Sequence, residues 1–152
     1  MTIDSLQSLR DDFDRVFFIS EAVRKRIQLA GADILSNDAG KHVTETEHAI
    51  LRMTQFFCLV SNNGRLYPHL ELGLELLPFL EQMDLSGTVA ALHALCGFAD
   101  KHNCAIGSIE FESKVEPVHE QLEAPAEGDF LWATRIMQYV AANPEKVPVV
   151  SA

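Results

Sequence analysis

The sequence predicts an all-α protein: a single helical bundle of about six helices over residues 1–142, followed by a flexible C-terminal tail over 143–152. Three observations carry this. Apolar residues recur every three or four positions along most of the chain, the period of a helix that buries one face. No β-branched residue occurs between Leu66 and Met83, a stretch rich in Leu and Glu. Cap and stop residues bracket the periodic segments. A chain of 152 residues with 47% hydrophobic content has the size of one compact domain and enough apolar surface to build its core. There is no internal repeat and no linker-like stretch.

From Asp4 to about Leu35 the positions Leu6, Leu9, Phe13, Val16, Phe17, Ser20, Val23, Ile27, Ala30 and Ile34 mark a long amphipathic helix, which Gly31 either ends or splits. Asp11, Asp12 and Asp14 fall early in it and Arg24, Lys25 and Arg26 late, as the helix dipole favours. Ser36 to Lys41 has the composition of a loop. Thr44 followed by Glu47 is a capping box and opens a second helix, which Asn62-Asn63-Gly64 stops.

The alternation of Leu70, Leu72, Leu74 and Leu76 reads as a strand, yet Leu66, Leu70, Leu74, Leu77 and Leu80 also form a helical stripe. Composition favours helix, kinked or broken at Pro78. Ser86 is the expected N-cap of a helix running to about Asp100, so apolar that it is expected at the covered centre of the bundle. Residues 106–122 are mixed. Ile109, Phe111 and Val115 leave room for a short hairpin near 106–115, whereas Phe111, Val115, Val118 and Leu122 suit a helix. A last helix covers Phe130 to Ala142, and Asn143-Pro144 ends it.

The first residues lack the basic flank and apolar run of a signal peptide. The longest uncharged run, between Asp84 and Asp100, is too short and too polar to span a bilayer. Cys58, Cys96 and Cys104 sit among apolar neighbours and read as buried reduced thiols. A cytoplasmic protein without membrane contact is the expectation.

Phosphate loops, nucleophile elbows, dinucleotide fingerprints, zinc-protease motifs and Cys-x-x-Cys are absent from the sequence. Whether it is an enzyme stays open, with a non-catalytic role favoured. One constellation has metal-ligand spacing: Glu45-x-x-His48 and Glu116-x-x-His119. Four-helix di-iron carboxylate proteins use that pair twice, because residues three apart share a helix face. Pro117, inside the second pair, works against helical projection.

A resemblance points elsewhere. Leu9 to Val16 resembles the opening helix of bacterial globins, Ala99-Asp100-Lys101-His102 the helix end bearing their proximal haem histidine, and Phe130-Leu131-Trp132-Ala133 an aromatic patch in their last helix. The resemblance implies a globin-like fold, either haem-binding with His102 as axial ligand and His48 or His69 on the distal side, or a variant without haem.

The charge distribution is the most informative feature. Net charge is −10, which argues against direct binding of nucleic acid. From Met1 to Arg65 nine acids face eight bases, whereas from Leu66 to Thr134 twelve acids face two bases. The acids are densest at Glu110, Glu112, Glu116, Glu120, Glu123, Glu127 and Asp129. The leading reading is a non-catalytic protein without cofactor that binds a basic partner protein through these seven residues, as an inhibitor, immunity protein or adaptor. The sequence is also compatible with a homodimer. The globin-like and di-metal readings are the alternatives.

Overall fold

In a computed structural model, which describes residues 3–33, 39–128 and 130–150, the chain is all-α, and no strand occurs among the described residues. Its helices are α1 (Ile3–Leu29), α2 (Glu45–Asn63), α3 (Leu70–Glu75), α4 (Leu77–Gln82), α5 (Ser86–Lys101), α6 (Ile109–Val115), α7 (His119–Glu123) and α8 (Leu131–Ala142), joined in places by short 3-10 turns. The chain's contacts fall into two compact units, Met1–Gln55 with Gly128–Ala152, and Phe56–Glu127. The sequence suggests one domain over 1–142 because no linker marks the division. The chain enters the second unit inside α2 and leaves it at the Glu127–Gly128 junction.

In the first unit α1 packs chiefly against α8. Val16, Ile19, Val23 and Ile27 form the buried stripe of α1, and Trp132, Ala133, Ile136 and Val140 that of α8. Phe17, expected inward, is exposed instead: it lies one residue beyond Val16, about 100° round the helix, and stacks on Phe13 with ring centroids 6.3 Å apart. Gly31 at φ +75° ends α1, with its amide bonded to the Gln28 carbonyl and the Ala32 amide to the Ile27 carbonyl, a Schellman closure.

The capping box forms as expected. Thr44 Oγ1 accepts from the Glu47 amide at 3.0 Å, and Glu47 Oε1 from the Thr44 amide at 2.9 Å. Glu47 is fully buried, and its other oxygen accepts from the Val149 amide at 2.9 Å. Thr44 Oγ1 also donates to the Lys146 carbonyl at 2.5 Å. So the segment expected to be a flexible tail is packed over 143–150. It makes 3-10 turns at Pro144–Lys146 and Pro148–Val150, and Val147 is buried between them.

In the second unit the segment 70–76 is not a strand. Leu70, Gly73 and Leu76 are its buried positions, a spacing of three, and the chain breaks at Leu76 before Pro78, which has no amide to continue the ladder. Gly73 is required by packing, since a Cβ there would stand 2.6 Å from Leu92 Cδ2. Nor does a hairpin form near 106–115. Ser108 Oγ accepts from the Phe111 amide at 3.1 Å and starts α6, whose inward positions are Phe111 and Val115, while Ile109 is 88% exposed. A strand would need Ile109 and Phe111 on one face; a helix puts Phe111 and Val115 together.

Helix α5 buries one side only, Thr88, Ala91, Leu92, Leu95 and Ala99, and exposes Ala90, His93 and Gly97. The expectation of a helix covered on most sides is corrected: small residues give α5 an apolar character that its outer face does not use for packing. Ser86 is not its N-cap either. The cap position is Leu85, and the free amides of Gly87 and Thr88 are taken by the Glu127 carboxylate, both at 2.7 Å. Gly87 is obligatory at this crossing, because a Cβ would lie 2.0 Å from the Pro125 carbonyl oxygen.

Candidate functional site

The polar residues of the second unit gather where three stretches of chain meet: Arg65–Tyr67, Glu116–His119 and Glu123. Gly64 at φ +65° ends α2 and turns the chain so that Arg65 and Tyr67 follow at once. Pro117 opens a 3-10 turn, Glu116–Val118, between α6 and α7, and this turn sets Glu116 and His119 on the same side.

Arg65 Nε lies 2.8 Å from Glu116 Oε2 and Nη2 2.6 Å from Oε1, a bidentate pair. The Tyr67 hydroxyl donates to Glu116 Oε2. Glu123 accepts from the Leu66 amide, and from the Tyr67 amide at 3.3 Å. His119 is buried against the Tyr67 ring, with centroids 5.6 Å apart, and its Nδ1 stands 3.4 Å from Glu123 Oε2.

Arg65, and after it the Tyr67 hydroxyl, holds the Glu116 carboxyl down to about 2. Burial, and after it the Glu116 carboxylate, pushes the Tyr67 phenol up to about 12. Glu116 therefore stays ionised and Tyr67 protonated across the neutral range. Neither is poised to exchange a proton with a substrate near pH 7. The cluster ties two distant stretches of sequence together, and its chemistry is that of a brace.

A polar cleft of about 360 Å³ opens beside it. Tyr67, His69, Glu71 and Glu112 line it together with the backbone turn at Gly107, whose φ is +80°. His69 Nε2 lies 2.7 Å from Asn63 Nδ2. Glu71 and Glu112 are both exposed, so the cleft presents carboxylates to solvent.

The seven acids singled out in the sequence divide. Glu116, Glu123 and Glu127 are half-buried and committed to Arg65, to the Leu66 and Tyr67 amides, and to the start of α5. Glu110, Glu112 and Glu120 are exposed. Glu110 pairs with Lys114 at 2.9 Å, which holds its carboxyl below the usual range. Asp129 lies outside the described residues.

Glu45 and His48 belong to the first unit, Glu116 and His119 to the second. Among the described residues no group of three or more His, Cys, Asp or Glu side chains gathers as a metal site. Glu116 is already engaged by Arg65 and Tyr67. His102 is the exposed C-cap of α5, its ring 4.2 Å from that of Phe98, and it lines neither the polar cleft nor the apolar hollow described below. Cys58, Cys96 and Cys104 are free and half-buried; burial raises the first two thiols. No helix among the described residues is long and apolar enough to cross a membrane.

Arg65 and Tyr67 are the site residues that sequence reasoning missed. They are 51 and 49 positions from Glu116, and no local pattern links them. No known protein family, curated protein or solved structure matches this chain.

Proposed function

We propose that the protein is a non-catalytic binding protein whose second unit, Phe56–Glu127, docks a basic partner protein, as an inhibitor, immunity protein or adaptor does. The charge of that unit carries the reading: eleven acids against three bases, a net of −8, while the other unit holds eleven acids and nine bases. Two of the three bases, Arg65 and Lys114, are held by Glu116 and Glu110. The docking surface is therefore narrower than the acidic sequence. It centres on Glu112 and Glu120, joined by Glu71, which the sequence did not single out. The cleft between Glu71 and Glu112 has the size and charge to receive an arginine or lysine side chain of the partner.

Complementary charge of this kind accelerates encounter and fixes register, and it weakens as salt rises. The test is capture of basic proteins from a lysate by the wild type and by the triple variant Glu71→Lys, Glu112→Lys, Glu120→Lys. Capture is expected to fail in the variant while its melting temperature stays nearly unchanged, because these positions are exposed. Reversing Glu45 and Glu145 in the other unit is the control and leaves capture intact. Undiminished capture by the triple variant would mean that the acidic unit is only a solvated surface.

A further inference from the structure

The first unit carries a feature of the opposite kind. A hollow of about 540 Å³ lies between α1, α8 and the C-terminal turn. Helix α1 lines it with Phe18, Ile19 and Ala22, α8 with Met137, and the turn with Val149 and Val150. Phe18 beside it is 73% exposed and Val150 about half exposed. Phe17 on the same helix is exposed as well, but it lies on the opposite flank of the buried stripe, stacked on Phe13, and does not line the hollow. A large apolar ring left in water at the rim of an apolar hollow marks a surface meant to be covered.

We propose that a second copy of this chain covers it, each Phe18 seated in the other copy's hollow around a twofold axis. Three observations favour a second copy over other occupants. The protruding ring and the hollow that would receive it are adjacent on one surface, as an isologous interface requires. The hollow is also lined by one acid and one base, neighbours in sequence, Asp14 and Arg15. A twofold places each Asp14 toward the partner's Arg15, whereas a uniformly acidic or basic partner meets a like charge. Arg15, which pairs with Asp12 at 2.9 Å, keeps a largely exposed guanidinium from which it can also reach a new partner. Finally, this unit is itself nearly balanced in charge, so its own surface adds little repulsion to a contact between two copies.

The inference is independent of the docking role of the acidic unit, and light scattering after size exclusion separates the two. Across a dilution series the purified protein is expected to move from 16.9 kDa toward twice that mass. Phe18→Asp is expected to be monomeric at every concentration with an unchanged melt. Val150→Asp, outside the helix, does the same should Phe18→Asp disturb folding. Asp14→Arg and Arg15→Asp each weaken the dimer, and the combined swap restores it. High salt leaves the dimer largely intact, unlike capture by the acidic unit. A wild type that stays monomeric throughout overturns the proposal. So does a dimer that survives both aspartate substitutions, or one abolished by the lysine reversals at Glu71, Glu112 and Glu120 instead.

Discussion

The two units use the same kind of residue to opposite effect. In the first, one buried carboxylate, Glu47, closes the start of α2 and holds the chain at Val149, and Phe18 of α1 stands exposed beside an apolar hollow. In the second, three carboxylates make the corresponding closures: Glu116 on Arg65 and Tyr67, Glu123 on two amides, Glu127 on the start of α5. Further acids remain outside, at Glu71, Glu112 and Glu120. An acidic stretch is thus not an acidic surface of the same size. Part of its charge is consumed as hydrogen-bond acceptors for backbone groups that no helix satisfies. Only the remainder is offered to a partner.

The comparison is one of surfaces and closures, and the two cores should behave alike. Leu92 in the second unit and Ile136 in the first are both fully buried. Each truncation to Ala is expected to cost about 2–5 kcal/mol in denaturant melts. Leu92 offers a sharper measurement because Gly73 stands against it. Gly73→Ala alone overpacks the contact and costs about 1–3 kcal/mol. Combined with Leu92→Ala, the new methyl enters the space vacated, and the double variant is expected to lose less than the sum of the two. Strict additivity would show that Gly73 and Leu92 do not share a wall.

The closures come next in size. Glu47→Ala strips acceptors from the Thr44 and Val149 amides at a buried site, and a loss of about 1–3 kcal/mol is expected. Glu47→Gln, which keeps one carbonyl oxygen, should lose less. The distinctive readout is local: faster amide exchange at Val149 and protease cleavage near Lys146, with α1 still protected. If Glu47→Ala leaves that segment as protected as in the wild type, Val147 alone holds it, and the parallel between the units fails.

What the sequence made legible follows the range of each interaction. Helix existence, the Thr44–Glu47 capping box, the stop at Gly64 and the break before Pro78 are settled within a few residues of themselves. Each was readable. Periodicity alone did not separate strand from helix at 70–76 and 106–115: Leu70 to Leu76 fit both periods and only composition favoured helix there, while at 106–115 the local Ser108 cap, which starts α6, was overlooked. The site was half visible. The acids could be counted, but which of them are consumed depends on Arg65, Tyr67 and the start of α5, about 40 to 57 positions away. Glu71 was passed over because it belongs to an apolar stretch, and it reaches the cleft only through the fold.

The smallest effect expected is also the one most specific to the second unit, because its network is half-exposed and screened by solvent. Glu116 is held at about 2 in the folded chain, against an ordinary value of 4.5. A depressed carboxylate binds fewer protons folded than unfolded, so its contribution is present above 4.5 and is lost as the pH falls toward 2. Tyr67 is displaced the other way, from 10 to about 12, so its contribution is present below 10 and fades as the pH rises toward 12. Glu116→Gln removes the depressed carboxyl itself and, with it, the smaller of the two causes that raise Tyr67, burial being the larger. Melting temperatures followed from pH 2 to 5 should then fall less steeply on the acid side than in the wild type, and the alkaline limb above 10 should flatten as well. Tyr67→Phe separates the two, since it abolishes the alkaline limb while the Arg65–Glu116 pair, the larger cause of the acid displacement, keeps most of the acid limb. An acid limb of Glu116→Gln as steep as that of the wild type would assign the acid sensitivity to other carboxylates, and would leave Glu116 no more than one of the surface acids with which the sequence grouped it.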